Sequence, residues 1–284
     1  MKTTILDILL DNLIEPELNN KIEDFLNSNS QHTIFTPNPE FLVASTKDKH
    51  FKQILNQSDL NIPDGFGLKL ASRFLYNKKL NRHTGIDTLI KICQLASEKG
   101  KSVYFLGSSE GVAKKTAQTL KSKFSNLKIA GAESGGKIDL NASPVLSRVE
   151  GCLTCPEQSR RMPHASKTIP SPSTLSNSDN IAKINTAEPD ILFVALGQIK
   201  QEKWISENLS KIPSVRIAMG VGGSFDYISK KTPRAPKLLR IIGLEWLFRL
   251  ILQPKRIKRI WNAIVVFSWL IFKEKLTKEK SRPT

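Results

Sequence analysis

Cysteine is scarce in this 284-residue chain: three in all, an odd count. So few cannot form the disulfide framework of a small secreted domain, and a reducing cytoplasm is the expected setting. No apolar run reaches the roughly 18 residues that a membrane-spanning helix needs. The opening Met1-Lys2-Thr3-Thr4-Ile5-Leu6-Asp7 lacks a long apolar segment and a small-residue cleavage site, so no signal peptide is expected. A nucleotide-loop signature is missing from the glycine-bearing turn Gly107–Gly111, which is neither a Walker loop, lacking Gly-Lys-Ser/Thr, nor a G-x-G-x-x-G run. Acidic residues are short in supply, 26 against 43 Lys and Arg, which leaves a net charge of +17.

What is present is a folded chain. Hydrophobic residues make up 39% and charged residues 24%, the balance of a globular protein rather than a disordered one. The length fits one large domain or two small ones and suffices for a core without staples. The positive excess points to an anionic partner: nucleic acid, a phosphate-bearing substrate or an acidic membrane surface. That excess is uneven. Residues 230–284 hold fifteen Lys or Arg and three acids (Glu245, Glu274 and Glu279), so this stretch alone carries +12.

Hydrophobic patterning predicts alternating strands and helices. Thr33–Thr36, Leu60–Ile62, Ser102–Leu106, Lys128–Gly131, Asp190–Leu196 and Arg216–Val221 read as strands. The spacing predicts helices over Glu40–Thr46, Phe66–Leu75, Asp87–Lys99, Val112–Phe124 and around Glu202–Ile205. Strands separated by helices imply βαβ units. The expected fold is α/β: a Rossmann-like parallel sheet flanked by helices over 1–229, followed by a basic helical appendage over 230–284.

Residues 143–179 break this rhythm with Ser, Pro, Asn and Thr and read as an inserted low-complexity loop. The loop contains Cys152 and Cys155 in a lone C-x-x-C, with His164 nearby. No second pair completes a metal site, so no metal is expected there. Leu146–Cys152 and Pro156–Met162 can be encoded by one near-identical nucleotide string read in two frames. That fits an inserted repetitive DNA element, and it fails if the coding DNA of the two stretches is unrelated.

In a parallel sheet, ligands gather beyond the carboxyl ends of the strands. The turns there carry Thr36-Pro37-Asn38, Pro63-Asp64-Gly65, Gly107-Ser108-Ser109-Glu110-Gly111, Gly197–Glu202 and Gly220–Asp226, and Arg82-His83-Thr84-Gly85 precedes a helix. Asp64 reads either as a turn or N-cap residue or as a general base within reach of a substrate hydroxyl. Arg82 is a phosphate partner or a solvated arginine. The glycines let a ligand approach the backbone, and their joint placement points to a single cleft.

The basic stretch reads as a helix over Leu238–Leu252 ended by Pro254, then Lys255–Arg259, then a nearly all-apolar Trp261–Phe272. Twelve helical residues span about 18 Å, short of a ~30 Å hydrocarbon core. Tryptophan with flanking Lys and Arg suits a helix lying in an anionic leaflet; a core helix with a solvated basic end is the alternative. Nucleic acid is not the expected partner, because the basic residues interleave with long aliphatics and form no aromatic stacking platform.

Together these segments resemble the WecG/TagA/CpsF glycosyltransferases, glycosyltransferase family 26. The resemblance rests on Thr36–Asn38, Ile62–Gly67, Arg82–Asp87, Phe105–Gly107, Pro189–Leu192 and Gly197–Glu202, and continues through Val221–Asp226, Arg234–Pro236, Gly243–Arg249 and Gln253–Arg259. It implies an inverting enzyme that moves a sugar of the N-acetylmannosamine type from a UDP donor to a polyprenyl-diphosphate-linked sugar. Such enzymes work at the cytoplasmic membrane face in teichoic acid or surface polysaccharide assembly. Carried over, Asp64 is the base, Thr36, Asn38, Arg82 and Gln201 line its pocket, and Arg249, Arg256 and Arg259 grip diphosphate. Gly107, Gly222, Gly223 and Asp226 are weaker candidates for the nucleotide. No metal cofactor is implied, and a homo-oligomer stays open. Two positions depart from the family pattern: Ile199 stands where proline is usual, and Lys230 where glycine is usual. The competing reading is a catalytically impaired, membrane-docked UDP-sugar-binding protein.

Overall fold

The computed structural model describes residues 2–136, 177–254 and 257–280. Cys152, Cys155, His164 and the two related stretches of the expected insertion lie outside the described residues, as does Arg256. The end of that insertion is corrected: Asn177, Ser178 and Asp179 already belong to a helix, Asn177–Ala187.

The chain opens with an antiparallel hairpin, β1 (Lys2–Ile5) and β2 (Ile8–Asp11), with Ile5 opposite Ile8. Its turn residues Leu6 and Asp7 both have positive φ, 48° and 60°. Asn-Gly or Asp-Gly normally occupies such a turn, so the sequence pattern does not announce this hairpin. Helix α1 (Glu15–Asn27) follows.

Next come β3 (His32–Phe35), α2 (Pro39–Ser45), α3 (Lys49–Gln57), β4 (Leu60–Asn61), α4 (Phe66–Tyr76) and α5 (Gly85–Lys99). Then follow β5 (Ser102–Gly107), α6 (Val112–Lys123), β6 (Lys128–Glu133), α7 (Asn177–Ala187), β7 (Ile191–Ala195), α8 (Lys200–Asn208), β8 (Ile217–Gly220) and α9 (Ser224–Ile228). Strands β3 to β8 form one parallel sheet in the order β4-β3-β8-β7-β5-β6. The expected α/β fold is what the chain adopts.

Strand periodicity divides the core in two. Ile191, Phe193 and Ala195 of β7 face a core shared with α1, α5 and α6, while Leu192 and Val194 face the core shared with α2, α3 and α8. A strand buried on both faces must be apolar throughout, which is why β7 is so plain in the sequence.

The basic C-terminal stretch forms α10 (Lys237–Ile241), α11 (Glu245–Leu252), α12 (Ile257–Trp261), a π-turn (Asn262–Val266) and α13 (Phe267–Lys280). The single helix expected over Leu238–Leu252 is broken at Gly243, whose φ is +82°. A left-handed residue ends one helix and re-aims the next. Of the two readings of Trp261–Phe272, the core helix is realised in part. Phe267 and Ile271 are buried in the α2/α4 side of the core, whereas Trp261 and Trp269 are 59% and 64% exposed. The Glu274 carboxylate accepts the Leu6 N–H at 3.1 Å, fastening α13 to the hairpin. Among the described residues, no helix is long and apolar enough to cross a membrane.

Candidate active site

The strand-end loops and the C-terminal helices enclose a cavity of about 870 Å³. From the sheet come Thr36 and Asn38 after β3, Asp64 after β4, Gln198 and Gln201 after β7, and Val221–Ser224 after β8. The opposite wall is Tyr227, Glu245, Trp246 and Arg249, with Arg259 and the apolar residues of α12–α13 at one end. Nine sequence-predicted residues line this cavity: Thr36, Asn38, Asp64, Arg82, Gln201, Gly222, Gly223, Arg249 and Arg259.

Two do not. A Cβ on Gly107 would stand 2.5 Å from the carbonyl oxygen of Ala195, so this glycine lets β5 and β7 approach, and the structure does not bring it to the cleft. Asp226 is likewise outside the lining; its carboxylate accepts the Ser108 hydroxyl at 3.0 Å and joins the β5 and β8 loops.

Asp64 is set by the loops around it. Its N–H donates to the Pro37 carbonyl at 2.8 Å, and the next strand-end contact is Ile62 N–H to Phe35 carbonyl at 2.9 Å. Gly65 has φ +104°, a turn that only glycine makes freely, and it is Gly65 that caps α4. The Asp64 carboxylate instead accepts the N–H of Gly85, the first residue of α5, at 3.1 Å. It therefore sits at the positive end of a helix 21 residues further on. Burial pushes this carboxyl above its ordinary range; the Gly85 N–H and the Arg249 and Arg82 charges pull back, while Glu245 adds to the rise.

The remaining polar residues are held in different ways. Asn38 caps α2, its side chain accepting the Phe41 N–H at 3.1 Å. Arg82 donates to the Arg240 carbonyl at 3.5 Å. Arg249 donates to Glu245 at 3.1 Å and lies over the Tyr227 ring, 4.9 Å from its centre, a favourable cation–π distance. Arg259 donates to Glu40 at 2.7 Å and to the Gln198 side chain. Gln201 is 1% exposed; its carbonyl oxygen accepts the Gly222 N–H at 2.9 Å and its nitrogen donates to Glu202 at 2.6 Å.

The description "Glycosyl transferase WecG/TagA/CpsF family" matches residues 3–151 and 158–281. The chain belongs to this family. Among its relatives is a protein of Bacillus subtilis (strain 168), 29% identical over 277 residues, covering 94% of this chain and 93% of the relative. A Staphylococcus aureus (strain MRSA252) protein is 26% identical over 283 residues, covering 99% and 96%. Both are named N-acetylglucosaminyldiphosphoundecaprenol N-acetyl-beta-D-mannosaminyltransferase. The chain is a glycosyltransferase of the WecG/TagA/CpsF type.

The two departures from the family pattern both fall at unusual backbone. Ile199 has φ +71° and Lys230 has φ +60°. Glycine accommodates the second freely, and lysine there costs about 1–2 kcal/mol. Proline, fixed near φ −65°, has no access to the first, so the loop entering α8 differs in backbone from one with proline at this point.

Sequence reasoning missed Glu40, Tyr227 and Glu245 in the cavity wall, whereas Gln198 lies in the Gly197–Glu202 turn that it singled out. Glu245 could have been found from its i,i+4 spacing to Arg249; the others carry no local signal. It also left Arg234 without a role. That guanidinium donates to both Asp87 oxygens, at 2.9 and 3.0 Å, and to the Thr84 hydroxyl at 3.3 Å. Thr84 caps α5, so Arg234 joins the C-terminal stretch to the helix end that faces Asp64. Although burial raises it, Asp87 is held below the usual carboxylate range by these Arg234 and Thr84 bonds.

Proposed function

We propose that this transferase moves N-acetylmannosamine from a UDP donor to the sugar of a polyprenyl-diphosphate-linked acceptor. The observation that carries the reading is the placement of Asp64, a cleft carboxylate with raised proton affinity, facing arginines from the body and from the C-terminal helices. The names of the two relatives supply the sugar and the lipid-diphosphate acceptor. Asp64 takes the proton from the acceptor hydroxyl as that oxygen attacks the anomeric carbon. The bond from that carbon to the diphosphate breaks, its electron pair leaves with UDP, and the configuration inverts. Arg82, Arg249 and Arg259 supply the positive charge for the departing diphosphate, with no metal cofactor.

Membrane docking is part of this proposal. The exposed apolar residues of α11–α13, with Trp261 and Trp269 among them, and the +12 excess of this stretch suit an anionic leaflet. The enzyme then meets its acceptor as a peripheral protein at the cytoplasmic face, and vesicle binding checks this.

Asp64→Asn tests the chemistry. It keeps shape but not basicity, so kcat should fall about 10²–10⁴-fold while UDP affinity stays near wild type. Turnover at the wild-type rate rejects Asp64 as the base. Wild-type protein that binds UDP-sugars yet releases no UDP with a lipid-diphosphate acceptor supports the binding-protein alternative.

A further inference from the structure

Gln201 and Glu202 open α8 and are 1% and 0% exposed. Gln201 lines the cavity; Glu202 does not. The bonds between them admit one assignment of the amide. The Gly222 N–H needs an oxygen, so Gln201 Oε1 faces it at 2.9 Å, and Gln201 Nε2 faces Glu202 Oε1 at 2.6 Å. The other Glu202 oxygen accepts the Ile199 N–H at 2.7 Å. Space for the pair comes from Gly220, where a Cβ would stand 2.5 Å from Glu202 Oε1 and 2.9 Å from Gln201 Nε2. One carboxylate thereby ties the loop after β7, the start of α8 and the loop after β8. An amide nitrogen has two hydrogens, and no described residue engages the second one of Gln201.

We propose that Glu202 is a positioning residue that fixes the Gln201 amide so that the cleft receives an N–H donor there. The ligand group seated at Gln201 is accordingly a hydrogen-bond acceptor, an oxygen of the nucleotide-sugar donor; this last assignment rests on the UDP-sugar reading above. Glu202→Gln leaves one oxygen for two donors, the Ile199 N–H and Gln201 Nε2, so the new nitrogen must face one of them. Where that nitrogen faces Gln201, the amide either lets go of residue 202 or turns and sets Nε2 against the Gly222 N–H; either way its N–H is no longer held toward the cleft.

The test is calorimetric titration of the full chain with UDP-N-acetylmannosamine and with UDP, using Gln201→Ala, Glu202→Gln and the double variant. Each single variant should weaken donor binding about tenfold, or ~1.4 kcal/mol, and the double should be no more than about twofold weaker than Gln201→Ala. Wild-type affinity in Glu202→Gln, or costs that add in full, overturns the proposal. The paired swap Gln201→Glu with Glu202→Gln guards against misfolding, since it keeps the bonds from the Gly222 and Ile199 N–H groups and reverses only the polarity of the one between the two side chains. It should melt like wild type and still lose donor affinity; undiminished affinity refutes the N–H donor. The side-chain amide resonances of Gln201, assigned by their loss in Gln201→Ala, need no ligand. They should shift in Glu202→Gln, and unchanged resonances overturn the positioning role even if the wild type binds no UDP-sugar, a result that by itself would sink only the function reading.

Discussion

Replacing Gly243 with alanine strikes the joint that aims α11 into the cleft. Gly243 has φ +82°, where an L-residue costs about 1–2 kcal/mol. The new Cβ would also stand 2.5 Å from Cγ and 2.8 Å from Cδ1 of Phe66, against about 3.5–4.0 Å for carbon atoms in contact. Phe66 begins α4, and its own Cβ, fixed to that helix, would stand 2.9 Å from the new atom, so turning the ring does not clear the clash. Relief therefore requires α11 to move by roughly 1 Å, a displacement that costs about a hundredfold when it misplaces a catalytic group. Arg249 is the group misplaced: it rides on α11, over Tyr227 and facing Asp64. We expect kcat/KM for transfer to fall about thirtyfold, or ~2 kcal/mol. The melting temperature of the α/β body should barely change, because none of its sheet contacts involve this joint. Steady-state kinetics with a lipid-diphosphate acceptor, beside a thermal melt, makes the measurement. Adding Phe66→Ala to Gly243→Ala should recover part of the loss. A Gly243→Ala enzyme within threefold of wild type would refute the argument that this joint aims α11.

The exposed tryptophans and the buried glutamate give two more expectations. Full-length protein should float with phosphatidylglycerol vesicles, and Trp261→Ser with Trp269→Ser should weaken this more than tenfold, each lost ring being worth about 1.5–3 kcal/mol; equal flotation rejects these helices as the membrane contact. Burial pushes Glu202 from its ordinary 4.5 up to about 7. Between these values the folded protein keeps a proton that the unfolded chain gives up, so the stability this group contributes is full below pH 4.5 and is lost as pH rises to about 7. The loss is about 3 kcal/mol. Denaturant titrations from pH 4.5 to 7.5 should show wild-type stability falling more steeply with pH than that of Glu202→Gln; parallel curves contradict the perturbed carboxyl.

Much of the sheet was legible because a strand buried on both faces has to be apolar along its whole length, as Ile191–Ala195 is. The turns beyond those strands were legible for a related reason: residues such as Pro63-Asp64-Gly65 can sit only where a strand has ended. The hairpin was not, since Leu6 and Asp7 adopt positive φ without the glycine that usually marks it. Nor was the break at Gly243, where hydrophobic spacing runs on through a residue whose conformation is set by the Phe66 ring against it. Asp64 shows the division within one side chain. Its type and place at a strand end suggested either a cap or a base; its actual donor, the Gly85 N–H, comes from a helix that only the folded chain brings near.

By itself, then, the sequence determined the alternation of buried strands and amphipathic helices, the carboxylate and amides at their ends, and the concentration of positive charge after residue 229. These follow from local periodicity and composition. The tertiary structure alone decided that Thr36, Asp64, Gln201 and Gly222 share one cavity with Arg249 and Arg259, and that Gly107 and Asp226 stand apart from it. It also decided that one face of α13 is core while Trp269 stays outside. The physical reason is that contacts between distant segments depend on how whole elements pack. Hydrophobic burial fixes that packing without regard to which polar side chains it brings together.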